Sequence, residues 1–279
     1  MIIKFIIMLM MIMPASAADL RVVSWNTFML PKPLKKTNQN IRTGVIADAL
    51  KGEGYDFIFM QEAFMGSFRS KVGKTLKSEY PHQYYLKNNR LIYPFFGSGV
   101  FVMGRHPFKV IDRVYYNKCG AADCWAAKGS VLIEATLPSG KGVQFAVTHL
   151  QAKESLGSVR ISQLTQVKNM LTKNQKRGVA QFLIGDLNID VKEPEFQAGL
   201  ELMGMSATEL TGPVTHTNVI DCYKKPDHER EWIDHMWVSN DTQLKDSTIQ
   251  VREVQYQHKG KTCMASDHHA VEGLFTFAD

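Results

Sequence analysis

The stretch Gln-Phe-Leu-Ile-Gly-Asp-Leu-Asn at residues 181–188 decides the fold class, because a short apolar run ends directly in polar side chains. Its first half, Gln181 to Ile184, is typical of a buried strand. Asp186 and Asn188 follow where turn residues alone would end an ordinary core strand. In layered α/β folds, ligand sites gather at strand ends, where loops hold reactive groups without opening the core. The stretch therefore predicts a core strand that brings a carboxylate and an amide to a site.

Other parts of the chain repeat the apolar or alternating pattern of a strand. Further strands are predicted at Leu20 to Trp25, Tyr55 to Met60, Ser98 to Met103, Ser130 to Leu137, Gly142 to Thr148, Trp232 to Val238 and His269 to Phe277. Between several of them, apolar residues recur at helical spacing. Helices are predicted at Ile41 to Leu50, Ser67 to Leu76, Val159 to Leu171 and Pro194 to Met203. Because helical crossovers are mixed with a hairpin turned by Pro138-Ser139-Gly140, this order predicts a layered α/β sandwich with mixed sheets.

Several of these strands carry a polar side chain at or near one end. The residues are Asn26, Glu62, His149, Asp186, Asn188, Asp234 and the pair Asp267-His268. Taken alone, an asparagine here is typical of a turn, Glu62 of an exposed loop acid, and His149 of a hydrogen-bonded core histidine. Taken together, they supply the groups that metal-assisted phosphoryl transfer requires.

The chemistry of this set is that of a magnesium-assisted hydrolase. Mg²⁺ takes carboxylate oxygens and keeps several waters, so one or two of Glu62, Asp186 and Asp267 suffice to hold it beside a phosphate. A histidine beside a carboxylate suits a general base, because the acid fixes its tautomer and stabilises the imidazolium. Asn26 and Asn188 are able to bind phosphate oxygens or metal waters without adding charge.

The N-terminus has the pattern of an export signal. Lys4 supplies the positive start, Phe5 to Met13 the apolar run, and Ala15-Ser16-Ala17 the small-residue cleavage site. The run is much shorter than the roughly 20 residues that span a bilayer. This pattern predicts a signal peptide over residues 1–18 and one catalytic domain over residues 19–279, in a secreted or periplasmic protein. The alternative is an uncleaved membrane anchor.

Net charge and cysteine content limit the classes of partner and the cellular compartment that the protein can have. The formal net charge of +6 favours phosphate-bearing partners, either nucleic acid or a membrane surface, without choosing between them. Export permits disulfides, and the four cysteines allow three pairings. They are Cys119, Cys124, Cys222 and Cys263. Zinc binding is the rival interpretation, which the lack of a C-x-x-C pair disfavours.

The order of short motifs along the chain resembles that of the endonuclease/exonuclease/phosphatase superfamily. The motifs are Ser24-Trp25-Asn26, Gln61-Glu62, Thr148-His149-Leu150, Gly185-Asp186-Leu187-Asn188, Ile233-Asp234-His235 and Ser266-Asp267-His268. Each motif is weak alone, but together they span nearly the whole chain after the predicted signal. The resemblance implies a four-layer α/β sandwich with two packed mixed β-sheets, as in deoxyribonuclease.

Flanking segments are more similar to the sphingomyelinase C branch than to nucleases. They are Phe28-Met29-Leu30-Pro31, Glu62-Ala63-Phe64, Thr148-His149-Leu150-Gln151-Ala152 and Asp123 to Lys128-Gly129. This resemblance implies Mg²⁺-dependent, phospholipase C-type hydrolysis of sphingomyelin, or of a related choline phospholipid in membranes, to ceramide and phosphocholine. Mn²⁺ or Co²⁺ would substitute for Mg²⁺. A secreted metal-dependent nuclease is the alternative, and a catalytically silent phosphate- or membrane-binding module is a third hypothesis.

The resemblance also implies how the reacting water is activated. Glu62 would be the principal magnesium ligand, with Asn26 close to both metal and substrate. His268 would be the general base. Asp267 would orient His268 or act with it, and Asp186 would orient the attacking water.

The remaining residues would handle the phosphate. Asn188 and His149 would bind it, and His149 would also be a candidate to protonate the leaving alkoxide. Asp234 would hold His149 in position. Lys128 would stabilise negative charge on the phosphate.

Two features depart from the pattern of secreted bacterial sphingomyelinases. Met65 stands where an acidic residue is common. The aromatic-rich hairpin that often precedes the terminal Asp-His and enters membranes corresponds here to Val254 to Ala265, which is short and rich in polar residues. For peripheral membrane contact, the segment Tyr93-Pro94-Phe95-Phe96 is therefore the better candidate as an exposed apolar loop.

Overall fold

Fifteen strands and four α-helices form in the part of the chain that the computed structural model describes, residues 20–88, 96–217, 222 and 231–278. The strands are β1 (Leu20–Asn26), β2 (Phe57–Gln61), β3 (His82–Tyr85), β4 (Phe101–Gly104), β5 (Phe108–Tyr115), β6 (Gly129–Thr136), β7 (Gly142–His149), β8 (Ala180–Asp186), β9 (Met205–Ala207), β10 (Leu210–Thr211), β11 (Asp234–Ser239), β12 (Leu244–Arg252), β13 (Gln255–His258), β14 (Lys261–Met264) and β15 (Ala270–Phe277). The helices are α1 (Gln39–Leu50), α2 (Gly66–Thr75), α3 (Gly157–Lys173) and α4 (Pro194–Met203). The signal peptide predicted over residues 1–18 and positions 93–95 of the predicted apolar loop lie outside the described residues.

Most strands join one of two mixed sheets. The first sheet has seven strands in the order β10-β12-β15-β1-β2-β4-β3, and the second has six in the order β5-β6-β7-β8-β11-β9. Each sheet contains a central parallel pair, β1 with β2 and β7 with β8, flanked by antiparallel neighbours, and the first sheet has a second parallel pair, β10 with β12, at its edge. The predicted mixed sheets are therefore confirmed.

Aromatic side chains fill the space between the sheets. Phe57 of the first sheet lies 5.1 Å, ring centre to ring centre, from Phe145 of the second. Phe182 lies 5.3 Å from Phe145 on its own sheet and 5.1 Å from Phe275 across the gap. All four are fully buried. This contact helps to explain why the central strands β1, β2, β7 and β8 contain nearly continuous apolar runs, because one face of each packs against the opposite sheet.

The helices cover the two outer faces. Helices α1 and α2 pack apolar residues such as Ile46 and Phe68 on the first sheet, and α3 packs Leu164 and Val167 on the second. The order helix, sheet, sheet, helix confirms the predicted four-layer sandwich. None of these helices combines the length and the apolarity that crossing a membrane requires, within the described ranges.

All four cysteines are paired. Cys119 is bonded to Cys124, and Cys222 is bonded to Cys263 in β14. The zinc interpretation is therefore wrong, because no cysteine sulfur is left as a thiolate ligand. The first bridge closes a loop before β6, and the second ties the segment after β10 to the β13–β14 hairpin.

Candidate active site

The predicted site residues meet at one edge that both sheets share. Parallel strands end at the same edge, so Asn26 at the end of β1 and Glu62 after β2 lie side by side, as do His149 and Asp186 at the ends of β7 and β8. Antiparallel neighbours begin where these strands end. Asp234 at the start of β11 is therefore the ladder partner of Asp186.

Asn26 joins the carboxylates of the site. Its Nδ2 lies 2.9 Å from Asp186 Oδ2, 3.3 Å from Glu62 Oε1 and 3.4 Å from His268 Nε2. Its Oδ1 accepts a hydrogen bond of 3.1 Å from the backbone N–H of Phe28. Because the NH₂ group faces the carboxylates, Asn26 acts here as a donor that orients them. That Asn26 also contacts a metal stays a prediction.

His268 is paired with a carboxylate from the other sheet. Its Nδ1 lies 2.8 Å from Asp234 Oδ2, and its Nε2 faces the site, 3.7 Å from Asp186 Oδ2. Burial lowers the pKa of His268, but the carboxylates of Asp234, Asp186 and Asp267 outweigh burial and raise that pKa well above its usual value. A histidine whose Nδ1 is fixed by a carboxylate presents Nε2 in a defined direction, as a general base requires.

Two predicted roles need correction on this geometry. Asp234 does not contact His149 but holds His268, because the start of β11 faces the segment before β15 across the gap between the sheets. Asp267 does not bond the His268 ring. Its Oδ1 lies 3.3 Å from Ser266 Oγ, and its backbone oxygen accepts from Thr217.

His149 and Lys128 form a second pair in the site. Lys128 Nζ lies 3.1 Å from His149 Nε2, which is also 3.3 Å from Asp186 Oδ2. Burial, with the Lys128 ammonium second, lowers the pKa of His149 to about 4. The ring is therefore uncharged at neutral pH. This charge state fits the predicted role in phosphate binding better than the predicted role as the acid for the leaving group.

Asp123 fixes Lys128 in place. Its Oδ2 lies 2.6 Å from Lys128 Nζ and also accepts from the backbone N–H of Ala152, at 2.7 Å. Lys128 is itself buried and donates to the backbone oxygen of Leu150. The pair is therefore part of the site wall, not an incidental surface contact.

Asn188 supports Asp186 from the loop after β8. Its backbone N–H donates to Asp186 Oδ1 at 3.0 Å, and its Nδ2 donates to Leu150 O at 3.2 Å. Asn188 and Glu62 both have φ of 51°, in the left-handed region that residues other than glycine seldom adopt. Such strain concentrates at functional sites, where it aims a side chain that a relaxed backbone would point elsewhere.

Glu62 has the features of a cation ligand. Glu62 is half-buried, its Oε1 faces Asn26, and its Oε2 is shielded from solvent and has no hydrogen-bond partner. Burial raises the pKa of Glu62 to about 7, with the nearby Asp267 carboxylate adding to the effect. A buried carboxylate oxygen without a partner is costly unless a cation meets it. These donors therefore fit a hard divalent cation.

Two further groups bring ligand atoms close together. Asp186, Asp234 and His268 form one, and His216, Asp267 and His268 form the other. Mg²⁺ prefers oxygen ligands, so groups that contain histidine suit it less well than the Glu62 carboxylate.

His216 was missed by the sequence interpretation. Its ring centre lies 4.5 Å from that of His268, and its Nδ1 lies 2.8 Å from Glu231 Oε2. It lies between Thr215 and Thr217 with no apolar run before it, so no strand-end pattern in the sequence indicates it.

Arg42 was also missed, because it looks like an ordinary surface charge on α1. It is fully buried, and its guanidinium donates to Ala265 O at 2.6 Å, to Phe28 O at 3.1 Å and to Thr27 O. Arg42 thereby joins the segment after Asn26 to the segment before Asp267.

Comparisons of sequence identify relatives, although no family model matches the chain. The chain is 23% identical to sphingomyelinase C from Listeria ivanovii, over 80% of this chain and 73% of that protein. It is also 23% identical to sphingomyelin phosphodiesterase 5 from Danio rerio, over 73% of this chain but only 39% of that protein.

Comparisons of structure give the same family of folds. Beta toxin from Staphylococcus aureus superposes with a TM-score of 0.81 at 22% identity, covering 91% of this chain and 99% of that one. Sphingomyelinase C from Streptomyces griseocarneus superposes with a TM-score of 0.79 at 23% identity, covering 92% and 99%. The resemblance drawn from the motifs is therefore confirmed: the chain is similar in sequence to sphingomyelinase C and has the deoxyribonuclease-like fold of these structures.

Proposed function

We propose that the protein is a divalent-metal-dependent phosphodiesterase that hydrolyses sphingomyelin to ceramide and phosphocholine. The observation that carries this proposal is the His268–Asp234 pair, which lies in one buried cluster with the unpartnered oxygen of Glu62. A base and a cation ligand that both lie beside the Asn26 amide suit water attack on a phosphate. The relatives named sphingomyelinase supply the substrate class.

Mg²⁺ is the cation that we propose, held by Glu62 with Asn26 beside it. When bound, Mg²⁺ would neutralise charge on the phosphate oxygens and lower the pKa of the nearby histidine. A mutant of beta toxin from Staphylococcus aureus that shares this fold carries bound magnesium ions. Mn²⁺ and Co²⁺ offer the same charge and would substitute.

The side chains divide the reaction between them. His268 accepts the proton of the attacking water at Nε2, while Asp234 on Nδ1 stabilises the resulting imidazolium. Asp186 lies within reach of both His268 and His149 and orients that water. The new bond from water oxygen to phosphorus forms as the bond from phosphorus to the ceramide oxygen breaks, and the departing oxygen takes a proton from solvent water, so that ceramide leaves as an alcohol. Asn188, His149 and Lys128 bind the phosphate oxygens.

Phosphocholine release tests the proposal directly. The purified protein is incubated with sphingomyelin vesicles and Mg²⁺, with and without chelator, beside the variants His268→Ala and Asp241→Asn. We expect release that the chelator abolishes, that His268→Ala lacks and that the exposed control Asp241→Asn retains. Wild-type protein that releases no phosphocholine under these conditions would reject the proposal.

A metal-dependent nuclease is the second candidate, favoured by the deoxyribonuclease-like fold and the net charge of +6. It predicts cleavage of DNA or RNA with a rate that falls steeply as salt increases. Wild-type activity that His268→Ala lacks, on either substrate, would exclude the catalytically silent binding module.

We further propose that residues 1–18 direct export and that residues 19–279 form one catalytic domain. The two disulfides support export, because such bonds persist in oxidising compartments. N-terminal sequencing of protein recovered outside the cytoplasm tests this, with a start near Ala18 or Asp19 expected. Retention of Lys4 in the exported protein would indicate the uncleaved anchor instead.

A further inference from the structure

Three of the four helices carry an arginine at the same position. Arg42 is the fourth residue of α1, Arg69 of α2 and Arg160 of α3, whereas α4 has Gln197 there. The predicted helices begin one or two residues later, so the recurrence appears only with the observed helix starts. Each of the three helices follows a strand that ends at the site, namely β1, β2 or β7. Because helix side chains point back towards the N-terminus, these three helix arginines reach the loops that precede their helices.

The stability of the helices does not explain why arginine recurs at this position. The helix dipole disfavours a cation close to the start of a helix. Arg42 and Arg160 are also buried, and Arg69 is half-buried. A buried charge is costly unless hydrogen bonds compensate it. Loop carbonyls near the core in turn need donors, because neither a helix nor a strand pairs with them.

Arg42 binds the loop that follows Asn26. Its guanidinium donates to Thr27 O, to Phe28 O at 3.1 Å and, across the site, to Ala265 O at 2.6 Å. Phe28 has φ of 46°, and in this conformation its N–H donates to Asn26 Oδ1 at 3.1 Å. That bond turns the NH₂ group of Asn26 towards the carboxylates of the site. Arg42 therefore holds the turn on which the orientation of the Asn26 amide depends.

Arg69 binds the loop that follows Glu62. It donates to Ala63 O at 2.5 Å and to Phe64 O at 2.7 Å, while its guanidinium carbon lies 3.6 Å from the centre of the Tyr85 ring. Glu62 itself has φ of 51°. The two carbonyls directly after this residue are thus fixed by one side chain, which is itself held against an aromatic face.

Arg160 binds the loop that follows His149. It donates to Gln151 O at 3.2 Å and to Lys153 O at 2.6 Å, and Lys153 has φ of 75°. The Glu195 carboxylate of α4 accepts two further bonds, at 2.8 and 2.7 Å, from the same guanidinium. The start of this loop is therefore held between α3 and α4.

We propose that the helix arginines are positioning residues, each of which aims one site residue, Asn26, Glu62 or His149. Each of the three loops contains a residue other than glycine with positive φ, which persists only where the surroundings enforce it. A guanidinium suits this task, because its planar fork donates to several carbonyls at once. The inference rests on the proposed function for the roles of the three site residues.

Mg²⁺ binding without substrate tests the arginine beside the proposed Mg²⁺ ligand. Isothermal titration calorimetry compares the wild type with Arg69→Met, Arg160→Met and Arg105→Met. Arg105 is the matched control, because it donates to Tyr55 O at 3.1 Å at the far end of the first sheet. We expect Arg69→Met to weaken Mg²⁺ binding roughly tenfold, as loss of groups that orient a ligand does, and the other two variants to match the wild type. Equal affinity for Arg69→Met and Arg105→Met would overturn the proposal.

Double-mutant cycles in kcat test whether each arginine acts through its own strand end. Arg160→Met should lower kcat for sphingomyelin at least about tenfold, with its Mg²⁺ affinity unchanged. Its effect should couple to that of His149→Gln and add to that of Asn26→Ala. Arg42→Met should show the reverse, coupling to Asn26→Ala and adding to His149→Gln. A purely structural role predicts additive effects in all four cycles, which would contradict the proposal.

Lysine variants keep the test decisive if a methionine variant does not fold by circular dichroism. Arg42→Lys, Arg69→Lys and Arg160→Lys retain the buried charge and one donor, but an ammonium does not span several carbonyls. They should therefore show the same losses, and wild-type kcat and Mg²⁺ affinity in all three would overturn the proposal. A wild type that binds Mg²⁺ but releases no phosphocholine would overturn the proposed function alone, because the affinity comparison needs no substrate.

Discussion

His268 takes its orientation from a carboxylate on the opposite sheet, and this contact leads to a first prediction. Asp234→Asn keeps the shape of the side chain but removes the charge that fixes the His268 tautomer and stabilises its imidazolium. The corresponding change in a serine protease triad lowers kcat by about 10⁴. We expect kcat for sphingomyelin to fall at least 10²-fold, with little change in the free energy of unfolding.

A double-mutant cycle decides which histidine Asp234 serves. In the His268→Ala variant, the further change Asp234→Asn should lower kcat very little, because the two residues act as a unit. In contrast, Asp234→Asn and His149→Gln should lower kcat independently. Strong coupling between Asp234 and His149 would instead restore the role that the family resemblance implied.

His149 predicts how stability depends on pH. Its pKa falls from 6.5 to about 4 on folding, chiefly through burial. The unfolded chain therefore binds a proton at a pH where the folded protein does not. The neutral His149 ring therefore contributes fully to the free energy of unfolding above pH 6.5, and this contribution is lost as pH falls towards 4. Relative to His149→Gln, the wild-type free energy of unfolding should fall by about 3 kcal/mol across this window.

Urea unfolding of both proteins in chelator, at several pH values between 7 and 4, measures this difference. The comparison with the variant is necessary because the pKa of Glu62 is raised to about 7. As pH falls, protonation of Glu62 therefore increases the free energy of unfolding and opposes the effect of His149. His258→Gln on the hairpin is the control. A constant difference between wild type and His149→Gln across the window would show that the pKa of His149 does not change on folding.

Most of the residues that form the site could be predicted from the sequence, whereas the contacts between them could not. Strand ends reveal which residues reach the shared edge, because the ends of parallel strands coincide. Which carboxylate contacts His268 depends on how the two sheets face each other. The sequence alone therefore does not distinguish Asp267 from Asp234 as the partner of His268. Arg42 gave no signal because a buried guanidinium that bonds only backbone and hydroxyl oxygens has no sequence pattern.

Whether the sequence predicts a helix or strand depends on how regularly its apolar residues repeat. All four helices were predicted, because each buries one stripe of residues on a sheet. The missed strands include β5 and β12, in which polar and charged residues occupy exposed positions and blur the alternation. β5 is an edge strand, and β12 borders only the two residues of β10 on one side, so neither needs a continuous apolar run.

The two disulfides should act differently because they close loops of different length. Cys119 and Cys124 are 5 residues apart, whereas Cys222 and Cys263 are 41 apart. Loop entropy gives about 2 kcal/mol for the first and about 4 kcal/mol for the second. Cys222→Ser/Cys263→Ser should therefore lower the unfolding temperature more. Cys119→Ser/Cys124→Ser should lower kcat more, because its loop carries the partner of Lys128.

This opposite order of effects on stability and on kcat is tested by measuring thermal unfolding and hydrolysis of a water-soluble choline phosphodiester for both double variants. Asp123→Asn serves as the internal comparison, because it releases Lys128 while leaving the bridge intact. If Cys119→Ser/Cys124→Ser kept the wild-type rate, the bridge would have no part in holding Lys128.

On the scale of the whole molecule, the site is divided between the two sheets. Asn26, Glu62 and His268 come from the first sheet, and His149, Asp186 and Asp234 from the second. The hydrogen bonds from Asn26 to Asp186 and from Asp234 to His268 cross the gap. Packing between the sheets therefore sets the distances from the base His268 to Asp234 and Asp186, which no single strand determines.

Phe182 tests this dependence, because its ring contacts Phe145 and Phe275 in the middle of the gap. Phe182→Ala should lower the free energy of unfolding by about 3–5 kcal/mol and the unfolding temperature by roughly 10 °C. The matched variant Phe196→Ala removes a ring from the outer layer, where it packs on Trp237. At 25 °C, with both proteins folded by circular dichroism, we expect kcat to fall several-fold for Phe182→Ala and to stay near wild type for Phe196→Ala. Equal kcat values for the two would mean that the edge holds its geometry independently of the core, through the hydrogen bonds of Asn26 and Asp234 alone.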